Sequence, residues 1–221
     1  IWSSALHKIR AASLTAIGCE FSGNAARIVS LGGTGPCTFE DCLFSANATG
    51  GILIYTGNVN GSDHATTLTN CRLDDNQADI LLSGRLRLEG CLLRGNTVTQ
   101  SLALGDTLRL IDCLVANTLG QGGFGENLLE ARRRLVLEGA TLAFNRAAGA
   151  LLQTNQFLEV ERSLLVCNAA DLLLRGQSSS PPALSVACTG QYGNLARGEG
   201  ADWSGAFAPF DPLSPLADAA L

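Results

Sequence analysis

An asparagine closes the same short frame again and again along this chain, and that recurrence limits the possible folds more than any other feature. The frame runs Cys19-Glu20-Phe21-Ser22-Gly23-Asn24, then CLFSAN ending at Asn47, CRLDDN ending at Asn76 and CLLRGN ending at Asn96. CLVAN, one residue shorter, ends at Asn117, ATLAFN at Asn145, SLLVCN at Asn168, and a degenerate TGQYGN at Asn194. The Asn-to-Asn spacings are 23, 29, 20, 21, 28, 23 and 26 residues. A period of this length with variable connections is the mark of a solenoid, in which each repeat can bury its apolar face only against its neighbours.

The slots around the frame give the repeat its shape. Five residues before the Cys slot stand Leu14, Cys37, Thr66, Leu86, Leu108, Leu135 and Leu158; two after it stand Phe21, Phe44, Leu73, Leu93, Val115, Leu142 and Leu165. Apolar residues alternate with period two on either side of one irregular step, the pattern of short strands separated by a bend. Another strand follows each Asn, at Ile52-Leu53-Ile54, Ile80-Leu81-Leu82, Leu102-Ala103-Leu104, Ala150-Leu151-Leu152 and Leu172-Leu173-Leu174. A leucine-rich repeat has a similar period but fits poorly. Its slot two past Asn holds Ala26, Thr49, Ala78, Ala147 and Ala170, and a 20-residue coil has no room for a helix. The expected fold is therefore all-β, a right-handed parallel β-helix of about eight coils spanning residues 14–194. An N-terminal cap would occupy residues 1–13, with Trp2, Leu6 and Ile9 at helical spacing, and an irregular C-terminal cap residues 195–221.

Stacking puts equivalent slots about 4.8 Å apart, so each becomes a ladder of like side chains. Asn tolerates left-handed turn geometry and its amide can bond the next coil's amide. Cys19, Cys42, Cys71, Cys91 and Cys113 form a second ladder, continued by Ala140 and Ser163, and are expected as buried free thiols. Cys167 and Cys188, in consecutive coils, are the one pair considered for a bridge.

Phe21-Ser22-Gly23-Asn24, and Phe44-Ser45-Ala46-Asn47 followed by Gly50-Gly51-Ile52, resemble the F-x-x-N and G-G-A-I motifs of polymorphic outer-membrane proteins. They are also similar to the wider pectate-lyase-like superfamily and to autotransporter passengers. The tail from Phe210 to Ala219 resembles the ending of many secreted bacterial β-helix proteins, without the closing Gly. The resemblance implies the β-helix, and a group that includes polysaccharide lyases, hydrolases, adhesins and tailspikes. Fold does not choose among these.

Chemistry is thinly signalled. Asp74, Asp75 and Asp79 form the best acidic cluster, with Arg72 and Arg94 close in the repeat frame; paired carboxylates could serve as acid and base or hold Ca²⁺. Asp74 and Arg94 share a slot in adjacent coils, however, so a cross-coil ion pair accounts for both. The hydrolase pattern also needs G-H-G and R-x-K segments, and neither occurs; the only Lys is Lys8. His7 and His64 have no partner at metal-ligand spacing, so no metal and no cofactor is expected. Two insertions near Tyr55–His64 and Gly120–Glu126, with a Ser/Pro-rich loop over 175–182, are where binding is expected on a rigid scaffold. The candidate binding residues are Tyr55, Asn58, Asp63, His64, Phe124, Glu126 and Arg132.

A formal net charge of −5 with no basic stripe argues against nucleic acid; the run Arg132-Arg133-Arg134 reads as a solvated loop. No window approaches the ~18 consecutive apolar residues of a membrane-spanning helix. The chain begins at Ile1 and holds no Met, so it reads as processed, excerpted or truncated. The expected role is a non-enzymatic structural or adhesive module, extracellular or at the cell surface. Its partners would be copies of itself, the rest of a longer chain, or a polysaccharide. The alternative is a lyase or hydrolase.

Overall fold

The structure is a computed structural model that describes residues 13–25, 27–30, 35–56, 66–121, 127–175, 183–187, 189–196 and 208–209. Among them there is no helix; every regular element is a strand, and every pairing between strands is parallel.

The coil has three walls. The first is built by Leu14–Ile17, Cys37–Glu40, Thr66–Thr69, Leu86–Glu89, the end of Thr97–Ile111, the end of Leu129–Glu138, Phe157–Glu161 and Ala183–Ala187, stacked in that order. The second is a nine-stranded sheet running from Glu20–Ser22 to Ala208–Pro209. The third holds Ile52–Tyr55, Gln77–Ser83, the middle of Thr97–Ile111, the start of Leu129–Glu138, Ala150–Thr154 and Leu172–Arg175. These walls match the strands read from the alternation. Both expected caps fall almost entirely outside the described residues.

Inward side chains from all three walls merge into one core. Phe44, Leu73, Leu93, Val115, Leu142 and Leu165 stack in register and are each at most 1% exposed. At the N-terminal end, Phe21 lies on Phe44 at 4.8 Å between ring centroids, and Phe39 meets Phe44 edge-on at 5.3 Å. The Asn slots lie in one line. Asn47 Nδ2 donates to Asn76 Oδ1 at 2.8 Å and to the Phe44-slot carbonyl of the preceding coil, Phe21 O, at 2.9 Å. Its own Oδ1 accepts from the Asn24 backbone N–H and Nδ2 at 3.0 and 2.8 Å. Both amide hydrogens and both lone pairs are used, which is what allows a polar side chain to sit 1% exposed in a core.

Asn117 does not belong to this line. Leu114–Ala116 pairs in register with Leu92–Arg94, so the slot falls on Thr118, and Asn117 takes the left-handed corner before it at φ 52°. The Thr118 backbone N–H still donates to Asn145 Oδ1 at 3.0 Å, but its own Oγ1 is buried with no partner. The shorter frame seen in the sequence is thus a full-length frame with Thr in the Asn position.

The corners need left-handed residues, and Gly, Asp and Asn supply most of them. Asp75 (φ 54°) leans over Gly95 (φ 67°) in the next coil, where a Cβ would stand 2.1 Å from Asp75 Oδ1. The Cys slot behaves as expected at Cys42, Cys71, Cys91 and Cys113, all buried free thiols; Cys19, at the first coil, is half-buried. Each donates to the carbonyl two residues earlier, as Cys113 Sγ does to Ile111 O at 3.2 Å, and Ser163 and Thr189 continue the contact with hydroxyls. Cys167 is a free thiol, which corrects the bridge considered for it; Cys188 lies outside the described residues.

Candidate functional site

The outer face of the first wall is where polar chemistry collects. With Leu86, Leu88, Leu108, Leu110, Leu135 and Leu137 pointing inward, strand alternation turns the intervening residues outward: Arg87, Arg109, Val136, Glu159 and Ser185 in one column, Arg134, Phe157 and Ala183 in another. A β-bulge shapes this face. Gly105 pairs with Ala131 but Thr107 pairs with Arg134, so Arg132 and Arg133 stand opposite the single residue Asp106. The bulge points Arg133 at Asp106, where Nε lies 2.8 Å from each carboxylate oxygen.

Beside it opens a groove of about 520 Å³ lined by Arg85, Thr107, Arg133, Arg134, Gln156, Phe157, Glu159 and residues of the last strand of this wall. Phe157 is 54% exposed in it, and Arg134 Nη2 reaches Glu159 Oε2 at 2.6 Å. Along the same wall Glu138 accepts from Arg109 at 2.9 Å and Arg162 at 2.8 Å, and Arg87 pairs with Glu89. The Arg133 hydrogen bonds hold the Asp106 carboxyl below the usual carboxylate range against its partial desolvation. The Arg109 hydrogen bond, helped by the charges of Arg109 and Arg162, does the same for Glu138. The run Arg132-Arg133-Arg134, read from the sequence as a solvated loop, is exposed but lies on the strand Leu129–Glu138, where the bulge aims it; Asp106 and Phe157 were not singled out. Only the bulge brings them together, and nothing in a hydrophobic period reports a bulge of two arginines.

The acidic cluster is not one site. Asp74 lies on the second wall, 6% exposed, with Oδ2 held by Arg72 at 2.6 Å and Arg94 at 3.5 Å. The cross-coil pair is as expected; the carboxylate is buried, and its Oδ1 has no partner. Asp75 occupies the exposed corner, and Asp79 accepts from Thr99 Oγ1 at 2.6 Å in the next coil. Tyr55 ends a third-wall strand, with the Arg27 guanidinium 5.3 Å from its ring centroid. Asn58, Asp63, His64, Phe124 and Glu126 lie outside the described residues. Among the described residues no three His, Cys, Asp or Glu side chains are grouped to hold a metal ion, and no helix is long and apolar enough to cross a membrane.

A family model described as right handed beta helix region matches residues 4–183. No curated protein and no solved structure matches the chain.

Proposed function

The chain belongs to the right-handed β-helix family, and from that premise we propose that it is a non-catalytic structural or adhesive module of a secreted or cell-surface protein. The observation that carries this reading is the state of the carboxylates on the polar wall. Asp106, Glu138 and Glu159 are each held by an arginine within 2.9 Å. Asp106 and Glu138 are held below their usual range. A glycosidase acid needs its carboxyl raised toward neutrality, and a proton-abstracting base needs an unengaged lone pair. Arginine pairs running from coil to coil do the reverse: they favour the ionised form of Asp106 and Glu138 and tie successive coils together. In this reading the partners are further copies of the chain or the rest of a longer one.

A second reading, recognition of a polysaccharide, is favoured by one observation: Phe157, exposed between Arg134 and Gln156, offers a flat apolar face beside charged donors. In that case the groove binds without cutting. The experiment incubates the chain with acidic and neutral polysaccharides and follows new reducing ends and unsaturated uronate absorbance. Neither should rise above the blank. Cleavage that disappears in Asp106→Asn or Glu159→Gln would overturn the non-catalytic reading.

A further inference from the structure

The cysteine slot is a column of thiols. Cys19, Cys42, Cys71, Cys91 and Cys113 hold the same place in five successive coils, and the backbone fixes their register. The carbonyls of Cys19, Cys42, Cys71 and Cys91 accept from Leu43, Arg72, Leu92 and Leu114, each one residue past the next cysteine, at 2.9, 2.8, 3.0 and 2.9 Å. All five are free thiols, and the last four are 2% exposed or less. Their side chains share one orientation: Sγ of Cys42, Cys71, Cys91 and Cys113 each contacts the carbonyl two residues earlier, at 3.3, 3.4, 3.4 and 3.2 Å. The packing does not demand sulfur there, because Ala140, Ser163 and Thr189 fill the slot in later coils. Five consecutive thiols offer a chemistry that alanine and serine lack.

The geometry selects which chemistry. Stacking in register sets like atoms about 4.8 Å apart on parallel Cα–Cβ bonds. A disulfide needs its sulfurs about 2 Å and its Cβ atoms about 3.8 Å apart, so it fits badly. On the scale of a zinc–thiolate bond, about 2.3 Å, one ion midway between two sulfurs spans about 4.6 Å, close to the coil repeat. Such an ion meets two ligands in a straight line, and among the described residues no three ligating side chains are grouped around one point. Zinc, which takes four ligands in a tetrahedron, is therefore a poor match; a soft ion content with two sulfurs, such as Cu(I), is a good one. Charge agrees with this choice, since an apolar core tolerates an ion only when it is neutralised. One thiol releases its proton to solvent and binds as thiolate, the other binds through a sulfur lone pair with its proton kept, and the complex with a monovalent ion is neutral.

We propose that the cysteine column binds soft monovalent metal ions, Cu(I) above all, each held in line between the thiols of two successive coils. Cys19, half-buried at the first coil, is the end of the column nearest solvent. This inference is independent of the functional reading above.

The test offers the reduced full chain, without air, Cu(I) carried by a chromogenic chelator. Five thiols in a row make two adjacent pairs, so the native chain should withdraw about two ions, and its Tm should rise because the paired thiols exist only in the folded state. Cys42→Ser with Cys91→Ser leaves no two neighbouring thiols and should abolish uptake; Ser163 already occupies this slot without loss of its carbonyl contact. Cys37→Ala with Cys167→Ala removes as many thiols off the column and should leave uptake unchanged. Independently of any variant, copper X-ray absorption on the unaltered chain should report two sulfur neighbours. No uptake by the native chain, a Tm that falls with copper, equal uptake in the two double variants, or three or four ligands around copper would overturn the proposal.

Discussion

Asn76 gives Asn96 two hydrogen bonds at once: its backbone N–H and its side-chain Nδ2 each reach Asn96 Oδ1 at 3.0 Å. Asn96 Nδ2 in turn donates 2.7 Å to Leu73 O in the preceding coil. Asn76 Nδ2 also donates to Phe44 O at 2.9 Å in the coil before its own, so Asn76 bridges three coils through bonds that water cannot replace, because both Asn side chains are at most 1% exposed. The same arrangement recurs from Asn24 to Asn194 and is broken once, at Thr118.

That break makes the first prediction. Thr118→Asn restores an acceptor for the coil before it and a second donor to Asn145 Oδ1, and removes an orphaned hydroxyl. Net hydrogen bonds contribute about 1 kcal/mol each, so a gain of roughly 1–2 kcal/mol is expected in chemical denaturation. A loss of stability would mean the slot is too tight for Asn.

The second concerns the thiols. Burial pushes Cys37 up to about 12, and Cys91 is pushed up to about 12 by the Cys113 thiol and by burial. Unfolded thiols ionise near 8.5. Below that value the stabilisation is fully present, since both states hold their protons. Above it the unfolded state sheds protons that the native state keeps, so stability falls as pH rises from ~8.5 toward 12. Thermal melts at pH 7, 9 and 10 should show this decline, and Cys91→Ser should reduce it. Without reductant, denaturant should expose at least the seven described thiols to a thiol reagent; a count near zero would contradict the account.

The third separates the two sides of the Asp74 pair. Asp74 is buried while Arg72 and Arg94 are about half-exposed. Asp74→Ala releases two arginines to solvent and removes an unpartnered oxygen, so its cost should stay within about 1 kcal/mol. Arg72→Ala with Arg94→Ala leaves a buried carboxylate unpaired and should cost more, about 2–3 kcal/mol. Equal costs would show that Asp74 is better solvated than its burial implies.

The fourth uses the corner. Gly95→Ala forces a Cβ into Asp75 Oδ1 at a left-handed backbone position, and should cost about 2 kcal/mol. Adding Asp75→Gly removes the collision and should recover part of that loss. A double variant no more stable than Gly95→Ala would assign the whole cost to backbone strain.

Most of the fold was legible because a solenoid repeats its physics. The alternation around Leu88 and Leu93, and the recurrence of Asn, each report a slot whose neighbours above and below are of the same kind. The slip at Asn117 shows where this fails: a residue of the right type one place early captured the alignment, and only the pairing of Leu114–Ala116 with Leu92–Arg94 restores the register. The polar groove was not legible. It depends on Arg132 and Arg133 sharing one partner position, and on side chains from coils more than twenty residues apart facing the same way. The shared slot of Asp74 and Arg94 reported their pairing, but not the burial of the Asp74 carboxylate, which the structure alone shows.

The register of the Asn ladder is the claim on which the rest depends, and two melts test it. Asn145→Ala strips buried partners from Thr118, Asn168 and Val115 and should cost about 3 kcal/mol, lowering Tm by roughly 6–12 °C in a chain of this size. Asn117→Gly keeps the left-handed corner and touches no ladder bond, so it should lower Tm by less than about 3 °C. If Asn117→Gly proves as damaging as Asn145→Ala, Asn117 rather than Thr118 occupies the slot, and the coil stacking described for that half of the molecule is wrong.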